Sequence, residues 1–325
     1  MGSERTTDGL RVVVTGASSG IGAATAIAFA ERGARLVLGA RGQAGLDDIA
    51  AECRAKGGSA EVRVVDVTDA EAVARFAREA ESLLGGIDLW FSNVGVGMVG
   101  RYGEVPMAEH AQVVDANLIG HMNDAHAVLP IFLAQGHGIW VNMISIGGFL
   151  ATPFAAAYTA SKFGLRGFSQ ALRGELSQQP RIHVCDVYPT FVDTPGLDHA
   201  GNRTGKALSL PYAALSPETV ARAVVGLADR PRNTTVVGAP AIVFKLAEFF
   251  VPNLSSAVVN GFMQTYLARA DPGDATQGSL FEPVAGASGA DGGRRRPDQR
   301  RTVAVAAGGI ALAAGIGAVL WRRRR

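Results

Sequence analysis

Cysteine is nearly missing from these 325 residues, and the two present, Cys53 and Cys185, lie far apart without the spacing of a metal or dithiol pair. A disulfide framework and a Cys-based metal or redox centre are thereby excluded, and no metal is expected. Charge is also sparse, at 18% of the chain with a formal balance of +2. Much of the basic excess falls at positions 294–296, 300, 301 and 322–325, so the body of the chain has no footprint for nucleic acid. No apolar stretch precedes Val12, which argues against a signal peptide and for folding in the cytosol. Apolar residues, by contrast, make up 48% of the chain. That is enough for one large core and excludes disorder over most of the length.

Short apolar runs at 11–15, 35–38, 60–65, 87–92, 138–144, 181–187 and 234–237 alternate with stretches of helical periodicity. Connections of that length imply parallel pairing through right-handed crossovers. The runs show little polar alternation, as expected of strands covered on both faces. The reading is an α/β fold: a doubly wound parallel sheet of about seven strands with helices on both faces, spanning 10–270 after an N-terminal tail at 1–9.

From 271 to 302 the composition turns to Gly, Asp, Ser, Pro and Arg without apolar periodicity, which predicts a flexible linker. Residues 303–321 contain no charge, and a helix there would be about 28 Å long, close to the hydrocarbon thickness of a bilayer. A C-terminal transmembrane helix is expected, with a basic tail at 322–325; a buried core helix is the other reading, but no partner surface is in sight. Gly309, Ala313 and Gly317 form a small-residue ridge on it, as a helix pair or chance would produce. Five Arg before the helix and four after leave orientation nearly tied. A single pass with the preceding domain facing the cytoplasm is expected.

Directly after the first apolar run comes Thr15-Gly-Ala-Ser-Ser-Gly-Ile-Gly22, then a helical pattern. Gly16, Gly20 and Gly22 allow a tight turn and close approach of backbone to a pyrophosphate at a helix N-terminus. The second run ends in Ala40-Arg41, where an acidic residue would hold a free ribose hydroxyl and a guanidinium suits a 2′-phosphate. NADP(H) is therefore preferred over NAD(H), although Arg41 as a solvated loop residue is also open.

Tyr158-Thr-Ala-Ser-Lys162 sets a phenol and an ammonium four residues apart, on one face of a helix running from about 157 to 176. A nearby cation favours the phenolate of a Tyr whose ordinary pKa is near 10. Ser145 ends the apolar run at 138–144, at a strand's carboxyl end where ligands of open α/β sheets bind.

The turn, the Y-x-x-x-K pair and the serine before it resemble the short-chain dehydrogenase/reductase family, over roughly 9–238. The resemblance implies a Rossmann-like fold, a homodimer or homotetramer, and a small-molecule carbonyl or alcohol substrate. It implies Tyr158 as general acid/base, Ser145 holding the substrate oxygen, Lys162 tuning Tyr158 and binding the nicotinamide ribose, and Asn117 ordering Lys162 through water. For the cofactor it implies Thr15, Gly16, Ser18, Gly20, Ile21, Gly22, Arg41, the adenine-side pair Asp66 and Val67, Asn93 and Gly95 from Ser92-Asn-Val-Gly95, then Tyr158, Lys162, Pro189 and Thr194. Two departures stand out: Ser19 sits where NADP-users often carry a second basic residue, and Thr190 replaces a glycine after Pro189.

The segment 195–215 is read as a mobile, Gly-rich lid in which His199, Arg203 and Lys206 either meet an acidic substrate group or are solvated. The Phe-rich stretch 241–267 could pack on the domain or rest on a membrane, and beside an anchored site a hydrophobic or lipid-like substrate is plausible. The expected function is an NADP(H)-dependent oxidoreductase interconverting a carbonyl and a secondary alcohol. A redox-responsive membrane scaffold that binds NADP(H) without turnover is the alternative.

Overall fold

A computed structural model describes residues 9–210, 214–238, 250, 252–284 and 289–295. Strands β1 (Arg11–Thr15), β2 (Arg35–Ala40), β3 (Ser59–Val64) and β4 (Leu89–Ser92) are followed by a two-residue β5 (Met98–Val99), then β6 (Gly138–Met143), β7 (Ile182–Pro189), a second short β8 (Gly201–Asn202) and β9 (Thr234–Val237). Seven of them form one parallel sheet in the order β3-β2-β1-β4-β6-β7-β9, while β5 and β8 pair with each other. The helices are α1 (Gly20–Ala30), α2 (Gln43–Ala55), α3 (Ala70–Leu84), α4 (Met107–Val114), α5 (Gly120–Gln135), α6 (Ala156–Glu175), α7 (Pro217–Asp229) and α8 (Pro252–Arg269).

Apolar residues run unbroken along the strands because alternate side chains feed two cores. Val12 and Val14 of β1 pack on the α1, α2 and α7 side with Phe29, Leu46, Ile49 and Val224. Val13 points the other way, with Trp90 and Trp140, into the core of α3, α5 and α6. The helix boundaries follow local chemistry. Asp69 accepts from the amides of Glu71 and Ala72 to start α3, and Gly85, in a left-handed conformation, ends it. Both cysteines are buried and unpaired, and burial pushes each thiol up to about 12.

Strand order reverses between β1 and β4, opening a crevice at their carboxyl ends. Thr15, Ser92, Met143 and Pro189 all end strands along this edge, so the sequence motifs converge there.

Two expectations change. The stretch read as a flexible linker is held against the domain over its described residues: Asn202 pairs with Thr276, Lys206 with Pro272 and Ser19 with Gly289. The segment read as a mobile lid is pinned as well over its described residues. Its β8 pairs with β5, Arg203 forms a salt bridge to the buried Glu109, and Lys206 Nζ donates to the Ala270 carbonyl at 3.1 Å. Neither cation is free for an acidic substrate or merely solvated. Helix α8 is tied to the domain by Tyr266, whose hydroxyl accepts from the Ser209 amide at 2.6 Å and donates to its carbonyl at 2.8 Å. No helix among the described residues is long and apolar enough to cross a membrane. The expected helix at 303–321 and the tail at 322–325 lie outside the described residues, as do 1–8 of the N-terminal tail.

Candidate active site

The turn after β1 is built for close approach. Gly16 (φ 70°) and Gly20 (φ 58°) are left-handed. A Cβ at Gly22 would lie 2.0 Å from the Gly16 carbonyl oxygen and 2.7 Å from Asn93 Nδ2. No side chain caps the start of α1 and no acid lies in its first turn, so its dipole faces the crevice with no side chain to offset it. A cradle with room for no side chain, lined by helix amides, fits a dinucleotide's pyrophosphate.

Around it stand the other expected cofactor residues. Ser18 lies against Gly45 of α2, and Ile21 is half-buried on the core. Asn93 Nδ2 donates to the Gly16 carbonyl at 3.2 Å, tying the β4 end to the turn. Gly95 is exposed beside Asn117. Asp66 Oδ1 accepts from the Thr68 amide and hydroxyl, closing its own turn, while the Val67 side chain is buried against Gly120. Pro189 ends β7, and the Thr194 side chain lies over Gly20, 3.2 Å from where a Cβ would sit.

The crevice also brings together Ser145, Tyr158, Lys162 and Asn117. Ser145 takes a φ of 132°, rare for a residue with a side chain, and its Oγ accepts from the Gly147 amide at 3.2 Å. The Tyr158 ring and Ser145 Oγ stand beside each other at Gly147, 3.1 and 3.7 Å from where a Cβ would sit. One turn along α6, Lys162 Nζ lies 5.7 Å from the Tyr158 ring centroid and donates to the Met143 carbonyl at 3.2 Å. Burial lowers Lys162 to about 7; burial also raises Tyr158, against which the neighbouring Ser145 hydroxyl works. The phenolate expected from the Lys162 charge is thus not favoured in the bare protein, because withdrawal from water disfavours both charged forms.

Asn117 sits in a π-helical turn (Asp115–Ile119) joining α4 to α5. Its Oδ1 accepts from the Val96 amide at 2.7 Å and its Nδ2 donates to the Val96 carbonyl at 2.9 Å; Ser161 Oγ lies 3.4 Å from the same nitrogen. This places it one helical step from Lys162.

Two buried residues on α5 were not foreseen. His121 has its ring nitrogens 2.7 Å from both Asn142 Oδ1 and the Val94 carbonyl, and burial, with the Lys162 charge second, lowers it to about 4. Asp124 accepts from Thr15 Oγ1 at 2.6 Å and Ser92 Oγ at 2.8 Å, joining the ends of β1 and β4. The signal lay in the spacing: positions 117, 121 and 124 put three polar residues on one helical face among apolar neighbours.

Arg41 stands at the end of β2 as expected, but its guanidinium forks onto backbone. It donates to the carbonyls of Ser279 at 2.5 Å, Phe281 at 2.9 Å and Leu280 at 3.2 Å. The Gly20 amide likewise donates to the Gly289 carbonyl at 2.9 Å.

A glycine turn at the reversal point of a parallel sheet, with a Ser–Tyr–Lys set at neighbouring strand ends, defines a dinucleotide-dependent oxidoreductase of the Rossmann-like class. The chain belongs to the short chain dehydrogenase family, whose profile matches residues 11–204. It is 30% identical over 255 residues to the uncharacterized oxidoreductase YxnA of Bacillus subtilis (strain 168), covering 78% of this chain and 72% of that one. It is 33% identical to the probable oxidoreductase EphD of Mycobacterium tuberculosis, over 68% of this chain and 40% of the relative. Among solved structures it resembles an alcohol dehydrogenase from the archaeon Thermococcus sibiricus complexed with 5-hydroxy-NADP, with a TM-score of 0.61 and 28% identity over 70% of this chain and 94% of that one. A metagenomic short-chain oxidoreductase in complex with NADP gives a TM-score of 0.61 and 31% identity over 71% and 98%.

Proposed function

We propose that the protein is an NADP(H)-dependent oxidoreductase that interconverts a carbonyl and a secondary alcohol. The observation that carries this reading is the placement of the Tyr158 ring and Ser145 Oγ together beside Gly147, with Lys162 buried one turn away and the glycine cradle in the same crevice. Bound NADPH supplies the hydride. Ser145 holds the carbonyl oxygen and stabilises the charge that develops on it, while Tyr158 gives that oxygen its proton. Lys162, when charged, favours the phenolate left behind. Thr15, Gly16, Ser18, Gly20, Ile21 and Gly22 seat the pyrophosphate; Arg41 selects the 2′-phosphate; Asp66, Val67, Asn93 and Gly95 line the adenosine side; Pro189 and Thr194 line the nicotinamide side. The NADP-bound neighbours support this choice of cofactor.

Exposed Tyr102, Met107 and Phe191, on segments leaving the carboxyl edge of the sheet, favour a hydrophobic substrate. An anchor at 303–321 would hold that edge near a lipid surface, and a dimer or tetramer is the expected assembly. Tyr158→Phe keeps the ring and removes the proton. Turnover of a carbonyl panel with NADPH is expected to fall by about 10²–10⁴, with NADPH binding unchanged. Turnover equal to wild type would refute the assignment.

A further inference from the structure

The two donors best suited to a cofactor are both taken by the protein's own main chain. The Gly20 amide, at the start of α1, is spent on the Gly289 carbonyl, and Arg41 is spent on the three carbonyls at 279–281. The side chain of Leu280 is fully buried in a cluster with Val96, Met98, Val105, Val113 and Ala116, against which Tyr158 packs. Gln112 Nε2 donates to the Leu280 carbonyl at 3.0 Å.

The segment is seated by contacts outside the crevice as well. Asn202 and Thr276 exchange backbone hydrogen bonds of 2.8 and 2.9 Å, and the Ser279 amide donates to the His199 carbonyl at 2.8 Å. Arg294 pairs with the buried Asp193 at 3.3 Å and with Asp198. Three of its glycines are close-packed: a Cβ would lie 2.1 Å from the His199 carbonyl at Gly278, 2.2 Å from Asp193 Oδ1 at Gly292, and 2.6 Å from the Ala207 amide at Gly273. This is a fitted element, and it lies beyond the residues 11–204 matched by the family profile.

We propose that residues 271–284 and 289–295 form an intramolecular strap that occupies the cofactor crevice and competes with NADP(H) for the Gly20 amide and the Arg41 guanidinium. The inference rests on reading the crevice as an NADP(H) site. A lid closing over bound cofactor would leave those donors to the phosphates, whereas this strap consumes them. Carbonyls are neutral acceptors, and a phosphate binds the same guanidinium more strongly, so cofactor can win the exchange. Occupancy by the strap reduces apparent affinity by the fraction of time the crevice is open.

The test compares the full-length protein with Gly278→Ala, which leaves no space for the strap, and Leu280→Ser, which removes the plug without a backbone demand. NADPH binding is followed by nicotinamide fluorescence, cleavage after Arg294 and Arg295 by trypsin and mass spectrometry, and folding by thermal melting. NADPH is expected to speed strap cleavage in wild type. Both variants should be cut rapidly without NADPH and should bind it about tenfold more tightly, as for a strap in place about 90% of the time. If Gly278→Ala fails to melt cooperatively, Leu280→Ser carries the comparison. Protection of the strap by NADPH, or unchanged affinity in folded variants, would overturn the proposal and leave the cofactor assignment standing. Absence of NADPH binding in wild type and both variants would overturn the cofactor reading, and the strap's role with it.

Discussion

Asp124 shows what one buried carboxylate does in this fold. It draws Thr15 and Ser92 together across the crevice, and Trp140 Nε1 donates to Ser92 Oγ at 2.8 Å behind them. Burial, partly offset by the Thr15 and Ser92 hydroxyls, raises its pKa from 3.8 to about 6. A raised carboxyl contributes stability that is fully present below the unfolded value and lost as pH rises through the folded one. Between pH 4.5 and 7.5 that loss is about 2 kcal/mol. Asp124→Asn abolishes it, so denaturant titrations should show the variant gaining about 2 kcal/mol on wild type across that range; parallel pH profiles would count against the assignment. Tyr158, Lys162 and Ser145 were legible because their spacing fixes their relation on one helix and one strand end. Asp124 was not, since a lone Asp in a helix usually faces water and its partners lie 32 and 109 residues away.

Among elements, the π turn between α4 and α5 decides where Asn117 points. One extra residue per turn swings the amide onto the Val96 backbone, satisfying a buried donor and acceptor together. Asn117→Ala leaves both groups without that partner and is expected to lower stability by about 2–4 kcal/mol, read as a fall in melting temperature. A change below about 0.5 kcal/mol would mean that the turn relaxes back to α geometry without loss. Apolar periodicity gave the long helices and strands but could not register a single inserted residue, nor the two-residue β5 and β8. It also misled at the glycines. Those in 271–295 suggested looseness, whereas Gly273, Gly278 and Gly292 are there because backbone meets backbone or a buried carboxylate. Composition cannot separate those two uses of glycine; contacts with residues far away in the sequence can.

For the whole molecule, the doubly wound sheet was readable because helices cover both faces and so make its strands continuously apolar. The path of the chain after α8 was not, since no pattern marks a segment that docks through main-chain carbonyls. The apolar stretch 303–321 follows this strap, and the eight chain steps from Arg295 to Val303 reach at most about 30 Å. If that stretch anchors the protein, the crevice lies close to a bilayer. Fractionation is expected to recover full-length protein in a carbonate-resistant membrane pellet and a 303–325 deletion in the supernatant. Full-length protein wholly in the supernatant would remove the anchor.

The two buried thiols carry a practical corollary. With both pushed up to about 12, the thiolate fraction at pH 8 is on the order of one in ten thousand, and maleimide reagents have almost nothing to attack. The native chain is therefore a silent background for site-specific labelling. A cysteine placed at exposed Glu282 would be its single reactive sulfur, and a fluorophore there would let strap departure be watched in real time.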